Sequence, residues 1–284
     1  MATEAGGRRR LGSLFRPRLP WTVGSAQRPI GVFDSGVGGV SILRELRRLM
    51  PDETVVYVAD RAWAPYGGRS LEEVRDRCVA VTDLLLVRGA KMVVVACNSA
   101  SAAALHHLRE LHPDVPFVGM EPAVKPAAAV TNGGVVGVLA TAATFQGELY
   151  ASVLDRHAAG VEVVESAAFG LAEAIEEGRT GDAASIVRKH VSQMRAAGVD
   201  TIVLGCTHYG FVADLIAQEA GPTVRIVDPS SAVARQVVRV ARKVGLNRSG
   251  SGTTTYLATA DPGGFADRLY DLVGFSSGVS AVEI

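Results

Sequence analysis

The sequence predicts an α/β protein with parallel sheets, built from two related halves. Three observations carry this expectation. Apolar, β-rich runs alternate with helical patterns from Pro29 onward, as they do where helices cross over between parallel strands. Two of those runs, Met92 to Ser99 and Ile202 to Tyr209, end alike: a cysteine, then small polar residues, then a helical pattern. Ile30 to Ser35 also resembles Val136 to Thr141, so the likeness extends to a second pair of strands and reads as an internal repeat.

Pro29 to Phe33 is the first strand. Asp34, Ser35, Gly36, Val37, Gly38 and Gly39 turn it into a helix with Val40, Leu43, Leu46 and Met50 on one face, closed by Pro51. Thr54 to Val58 is the next strand, ending near Asp60. Arg61 to Arg69 is a loop holding Pro65, Tyr66, Gly67 and Gly68. Ser70 and Glu73 form a capping box. The helix behind them stripes Val74, Cys78, Val81 and Leu85 and stops at Gly89. The Cys97 strand follows, then a helix through Leu111 and a strand from Val115 to Gly119. Beyond Glu121 and Pro122 the pattern restarts. A helix reaches about Val130, Asn132 to Gly134 turn, Val135 to Leu139 is a strand, and Thr141 to Thr144 lead into a helix. After the Cys206 strand come a strand at Thr223 to Val227 and a helix with Val233, Val237, Val240 and Val244. A loop at Asn247 to Gly252, a strand at Thr253 to Leu257, a helix from Pro262 and a last strand near Val279 complete the pattern.

Composition narrows the function. The formal charge is zero, but residues 1–28 hold six arginines (Arg8, Arg9, Arg10, Arg16, Arg18, Arg28) and one acid, Glu4. Removing those from 29 basic and 29 acidic side chains leaves 23 and 28, a net of −5. The main body thus carries no nucleic-acid footprint. Residues 1–28 read as a basic, disordered extension without the apolar segment of a secretory signal. No apolar run is long enough to cross a membrane. Three cysteines, an odd number, do not suggest a disulfide framework, and their spacing fits no zinc motif. Free thiols in a reduced cytoplasm are the expectation.

A cysteine just past a strand end stands where open α/β sheets bind ligands, beside a fresh helix N-terminus. The thiolate, not the thiol, is the base. Two thiols facing one bound molecule suit removal of a proton from one face of a carbon and its return to the other. That is racemisation, and it needs no metal or organic cofactor where the site stabilises the carbanion-like transition state. Asp34, Ser35, Asn98, Ser99 and Thr207, with N–H groups at helix starts, are the groups to hold α-carboxylate and ammonium. Each has a blander reading. Asp34 and Ser35 would serve equally as a helix cap, Tyr66 as loop packing, and Glu176 and Glu177 as a charged helix face. Cys78, on an apolar stripe, is expected to be a buried inert thiol. His106, His107, His112, His157 and His190 are expected to be solvated and without partners. Gly36 to Gly39 do not make a dinucleotide loop, because the third glycine would fall on Ser41.

Taken together and in order, Val32 to Gly39, Pro65 to Gly67, Ala96 to Ser101 and Gly205 to Tyr209 resemble the glutamate racemases of the cofactor-independent Asp/Glu racemase superfamily. The resemblance runs from about residue 29 to the C-terminus. It implies two α/β domains with the active site in the cleft between them, here 29–120 with 229–284, and 121–228. It implies interconversion of L- and D-glutamate, supplying D-glutamate for peptidoglycan, with Cys97 acting on the D-enantiomer and Cys206 on the L-enantiomer. Asp34 would assist Cys97, and His208 would assist Cys206. Asp34, Ser35, Tyr66, Gly67, Asn98, Ser99, Thr207 and His208 would hold the amino acid. Glu176 matches the family's assisting glutamate through the segment ending at Gly178. Ala168 and Phe169 stand where that segment usually begins Cys-Pro; Ser99 replaces a threonine and Gly210 a proline. A homodimer is expected. The alternatives are racemisation of aspartate or another small acid and, from another class, a regulatory role in binding DNA gyrase through the basic arm.

Overall fold

The computed structural model describes residues 28–246, 251–274 and 278–284. The basic extension before Arg28 and residues 247–250 of the expected loop lie outside them. Apolar strands with no polar face can only be buried on both sides, and helices supply the cover. The first sheet takes β1 (Ile30–Asp34), β2 (Val55–Ala59), β3 (Met92–Val95) and β4 (Phe117–Val118), with β9 (Thr254–Ala258) and β10 (Val279–Ala281) added at one edge. The second takes β5 (Val135–Ala140), β6 (Glu162–Ala167), β7 (Thr201–Gly205) and β8 (Arg225–Val227). Every pair is parallel. The strand orders are β10-β9-β2-β1-β3-β4 and β6-β5-β7-β8. The segment β2-β1-β3-β4 therefore repeats as β6-β5-β7-β8, which is the duplication read from the sequence. Two α/β domains result.

Helices α1 (Val40–Leu49), α2 (Leu71–Val87) and α3 (Asn98–Leu111) belong to the first sheet. The second is flanked by α4 (Val124–Val130), α5 (Ala142–Gln146), α6 (Glu148–His157), α7 (Leu171–Glu176), α8 (Thr180–Ala196) and α9 (Ala213–Ala220). The chain then returns to the first sheet. In α10 (Ser230–Lys243) Val233, Val237 and Ala241 pack with Leu43 and Leu46 of α1, and α11 (Pro262–Val273) adds Phe265 and Leu269 to the same core. The expected capping box starts α2: Ser70 Oγ accepts from Glu73 N–H and Glu73 Oε2 accepts from Ser70 N–H. Cys78 is fully buried on that helix, where its apolar stripe places it, and burial pushes its thiol far up.

Some expectations need correction. No apolar run announces strand β6, because Glu162, Glu165 and Ser166 interrupt it; it is an edge strand with no fully buried residue. Val244 is not on the buried face of α10 but caps its end, 47% exposed. Three histidines expected to lack partners have them. His106 Nε2 lies 3.2 Å from Glu110 Oε1, one helical turn on, His112 Nε2 lies 3.4 Å from Asp83 Oδ1, and His190 Nδ1 lies 2.7 Å from Ser166 Oγ. Arg28, counted with the extension, donates to the carbonyls of Gly89 and Ala90 at the α2–β3 turn. An ion pair that nothing in the pattern announced, Lys91 with Glu53 at 2.5 Å, is fully buried.

Candidate active site

The carboxyl ends of the two sheets face one another, and the expected residues sit there. Asp34 ends β1, Cys97 precedes α3, and Cys206 follows β7 before a short 3-10 turn over Thr207–Val212. Buried tyrosines fix these loops. The Tyr57 hydroxyl donates to Gly36 O at 2.8 Å. The Tyr209 hydroxyl lies 3.4 Å from Ala140 O and 3.3 Å from Ala168 O, tying the turn to the ends of β5 and β6. Glycines let the domains approach. A Cβ on Gly36 would stand 2.4 Å from Glu176 Oε2, one on Gly38 would stand 2.5 Å from His208 Nδ1, and one on Gly67 would stand 2.8 Å from Thr141 Cβ.

Three groups line up behind Cys206. His208 Nδ1 is 3.8 Å from Cys206 Sγ, and His208 Nε2 is 2.8 Å from Glu176 Oε2. Glu176 Oε2 also accepts Val37 N–H from the other domain at 2.9 Å. Burial disfavours charge on both partners, but their bonds outweigh it. His208, bonded to Cys206 and Glu176, is held well above its ordinary value. Glu176, bonded to His208 first and then Val37, is held below its own. Both shifts favour the charged pair, in which the ring donates from one nitrogen to the sulfur and from the other to the acid.

The Cys97 side is different. Burial first, then the Asp34 carboxylate, push the Cys97 thiol well up, while the Ala100 N–H acts the other way. Asp34 Oδ1 accepts Ser35 N–H at 2.5 Å, and Oδ2 accepts the Thr207 hydroxyl at 3.0 Å across the cleft. Ser99 Oγ and Thr141 Oγ1, 3.0 Å apart, form a second bridge between domains. Asn98 is 3% exposed, yet neither its Oδ1 nor its Nδ2 has a protein partner. A buried amide so placed is costly unless a ligand meets it.

Both thiols open onto one cleft of about 210 Å³, smaller than a site for a drug-sized ligand. Ser35, Tyr66, Gly67, Cys97, Asn98, Ser99, Glu176, Cys206, Thr207 and His208 all line it. Asp34 stands one hydrogen bond behind Thr207, in the floor. Tyr66 is fully buried and its hydroxyl donates to Asp60 Oδ2 at 2.5 Å, away from any ligand, so the loop backbone is the part that faces the cleft. Sequence reasoning missed four residues at the site: Asp60, which holds Tyr66; Arg61, within 3.8 Å of Glu176 Oε1; Phe169, an exposed ring at the rim; and Thr141. Thr141 was within reach, since the repeat pairs it with Ser35. Among the described residues no three His, Cys, Asp or Glu side chains converge as metal ligands, and no helix is long and apolar enough to cross a membrane.

Residues 30–237 match the Asp/Glu/hydantoin racemase family. A glutamate racemase of Roseiflexus sp. (strain RS-1) is 49% identical over 250 residues, covering 86% of this chain and 92% of its own length. One from Ectopseudomonas mendocina (strain ymp) is 50% identical over 217 residues, covering 76% and 82%. Among solved structures, the glutamate racemase isoform RacE1 of Bacillus anthracis superposes with a TM-score of 0.82 at 30% identity, covering 90% of this chain and 98% of that one. The Escherichia coli glutamate racemase, solved with L-glutamate and the activator UDP-MurNAc-ala, gives 0.80 at 30% identity over the same shares. The chain belongs to the Asp/Glu/hydantoin racemase family, among its glutamate racemases.

Proposed function

We propose that this protein interconverts L- and D-glutamate by passing the α-proton between two thiols, Cys97 and Cys206. The observation that carries the reading is that both sulfurs open onto one small cleft, one from each sheet. From L-glutamate, Cys206 as thiolate removes the α-proton and Cys97 as thiol delivers its own to the opposite face; from D-glutamate the roles exchange. His208, bonded to Cys206 and Glu176, donates to Cys206 Sγ and so favours the thiolate that takes the α-proton. Asp34, whose charge bears on Cys97, favours the thiol there, which delivers its proton to the opposite face. The unpartnered amide of Asn98, the hydroxyls of Ser35, Ser99 and Thr207, and the backbone of Tyr66 and Gly67 hold the ammonium and carboxylate groups. Positioning of both thiols on one carbon supplies much of the rate, since well-oriented groups reach effective molarities on the order of 10⁵ M or more.

The domains assigned to this reading are 29–120 with 229–284, and 121–228. The return of α10 and α11 to the first core, and the packing of Val124 and Ala127 of α4 on the second sheet, support these limits. A homodimer, a cytoplasmic site supplying D-glutamate to peptidoglycan, and gyrase binding through residues 1–28 rest on the family resemblance. Polarimetry of pure L-glutamate with the purified protein tests the activity, with both enantiomers of aspartate as competing substrates. Cys97→Ala and Cys206→Ala should each abolish racemisation while the melting curve stays cooperative. Full activity in either variant ends the two-thiol mechanism.

A further inference from the structure

Arg61 enters the cleft from the loop after β2, in the first domain, and Glu176 from the end of α7, in the second. Glu176 Oε2 is fully engaged by His208 and Val37. Its other oxygen, Oε1, is buried with no hydrogen-bond partner, and Arg61 Nε stands 3.8 Å from it. Arg61 Nη1 is likewise buried and without a partner, so both ends of this ion pair have bonding capacity to spare. On the far side, Arg61 Nη2 is 3.3 Å from Asp261 Oδ2. Asp261 is set for that contact. It caps α11 with φ of 44°, a left-handed conformation that Asp tolerates better than most residues, and its Oδ1 accepts Gly264 N–H. Gly264 leaves the room, since a Cβ there would lie 2.1 Å from Asp261 Oδ2. The same helix holds α7 a second time, where Arg268 Nη2 donates to Ile175 O at 2.7 Å. A chain of contacts thus runs from Asp261 through Arg61, Glu176 and His208 to Cys206.

We propose that Arg61 is a positioning residue: anchored by Asp261, it holds the Glu176 carboxylate against His208 from across the cleft and so sets proton transfer at Cys206 alone. The inference rests on the reading of Cys206, His208 and Glu176 given above. With a carboxylate on either side, the guanidinium is already neutralised, which argues against a primary role in binding a substrate carboxylate.

The test compares α-protiated and α-deuterated glutamate in both directions. Enantiomers have equal energy, so the equilibrium constant is one and kcat/KM must fall equally in the two directions for any variant. The isotope effects are not so bound. If Arg61→Gln slows only the Cys206 transfer, kcat/KM falls about tenfold. The isotope effect on kcat/KM then rises for L-glutamate, whose deuterium passes to Cys206, and falls for D-glutamate, whose deuterium passes to Cys97. Arg61→Lys keeps the charge and should recover kcat/KM to within about threefold of the parent. It also serves should Arg61→Gln fail to fold. Glu176→Gln is measured alongside. If it shows the crossed pattern and Arg61→Gln does not, the inference is overturned and the Cys206 reading stands. If Glu176→Gln does not show the pattern, both fall. A rise in KM with unmoved isotope effects would make Arg61 a substrate ligand instead and overturn the proposal.

Discussion

Gly38 has no side chain, and the site depends on that. A Cβ there would come within 2.5 Å of both His208 Nδ1 and Thr207 Oγ1 and 2.7 Å of Asp34 Oδ2, all belonging to the proposed machinery. No real Cβ tolerates such distances, so Gly38→Ala must displace these side chains from their present geometry. Displacements near 1 Å cost on the order of 100-fold in rate when geometry is the source of catalysis. The variant is therefore expected to lose about 100-fold in kcat. Gly181→Ala, at a position with open space around it, should leave kcat unchanged. Steady-state assays in both directions check this, and near-parent kcat in Gly38→Ala would show that the contact relaxes freely. At this scale the thiols were legible because a cysteine at a buried strand's end is a placed chemical group. The hydroxyls and Asn98 followed from the same strand ends. Arg61 and Asp60 were not legible, because what they do depends on Glu176, Asp261 and Tyr66, and no local pattern brings the first two of those to Arg61.

Elements whose pattern is local were read well, and those shaped by neighbours were not. The capping box at Ser70 is written in two residues and forms as written. The edge strand β6 is not, since its pairing with β5, rather than any apolar run, makes it a strand. The turn before β5 shows how a distant residue completes a local signal. Asn132 to Gly134 suggest the turn, but Asp200 fixes it. Its carboxylate accepts N–H groups of Asn132 and Gly133 and the hydroxyls of Thr131 and Thr201. Burial opposes ionisation here, yet these bonds, that from Gly133 first, hold the carboxyl at about 2 against an ordinary 3.8. A depressed carboxyl stabilises the fold above its unfolded value and loses that contribution as pH falls through the folded one. Asp200→Ala should therefore lower Tm at pH 7, with the gap to the parent narrowing as pH drops from about 4 toward 2. Calorimetry over that range checks it, and a gap constant with pH would contradict it.

Across the whole molecule, function resides in the meeting of two copies of one topology. The order β2-β1-β3-β4 recurs as β6-β5-β7-β8, so the third strand of each carries its cysteine to the shared edge. The copies then diverge chemically. One sulfur has a carboxylate, Asp34, as its neighbour and the other an imidazole ring, His208. Two chemically unlike bases suit a reaction whose two faces must be served separately. The duplication was visible in the sequence as paired strand ends. The bridges that close the cleft, Thr207 to Asp34 and Ser99 to Thr141, were not, because each joins residues from different copies.

The most direct test is solvent exchange. L-glutamate is turned over in heavy water and both pools are analysed by mass spectrometry at low conversion. Two separate thiols require the D-glutamate formed to carry solvent deuterium while the remaining L-glutamate keeps its hydrogen. Deuterium entering the remaining L-glutamate as fast as it enters product would mean one base serving both faces, and would contradict the account.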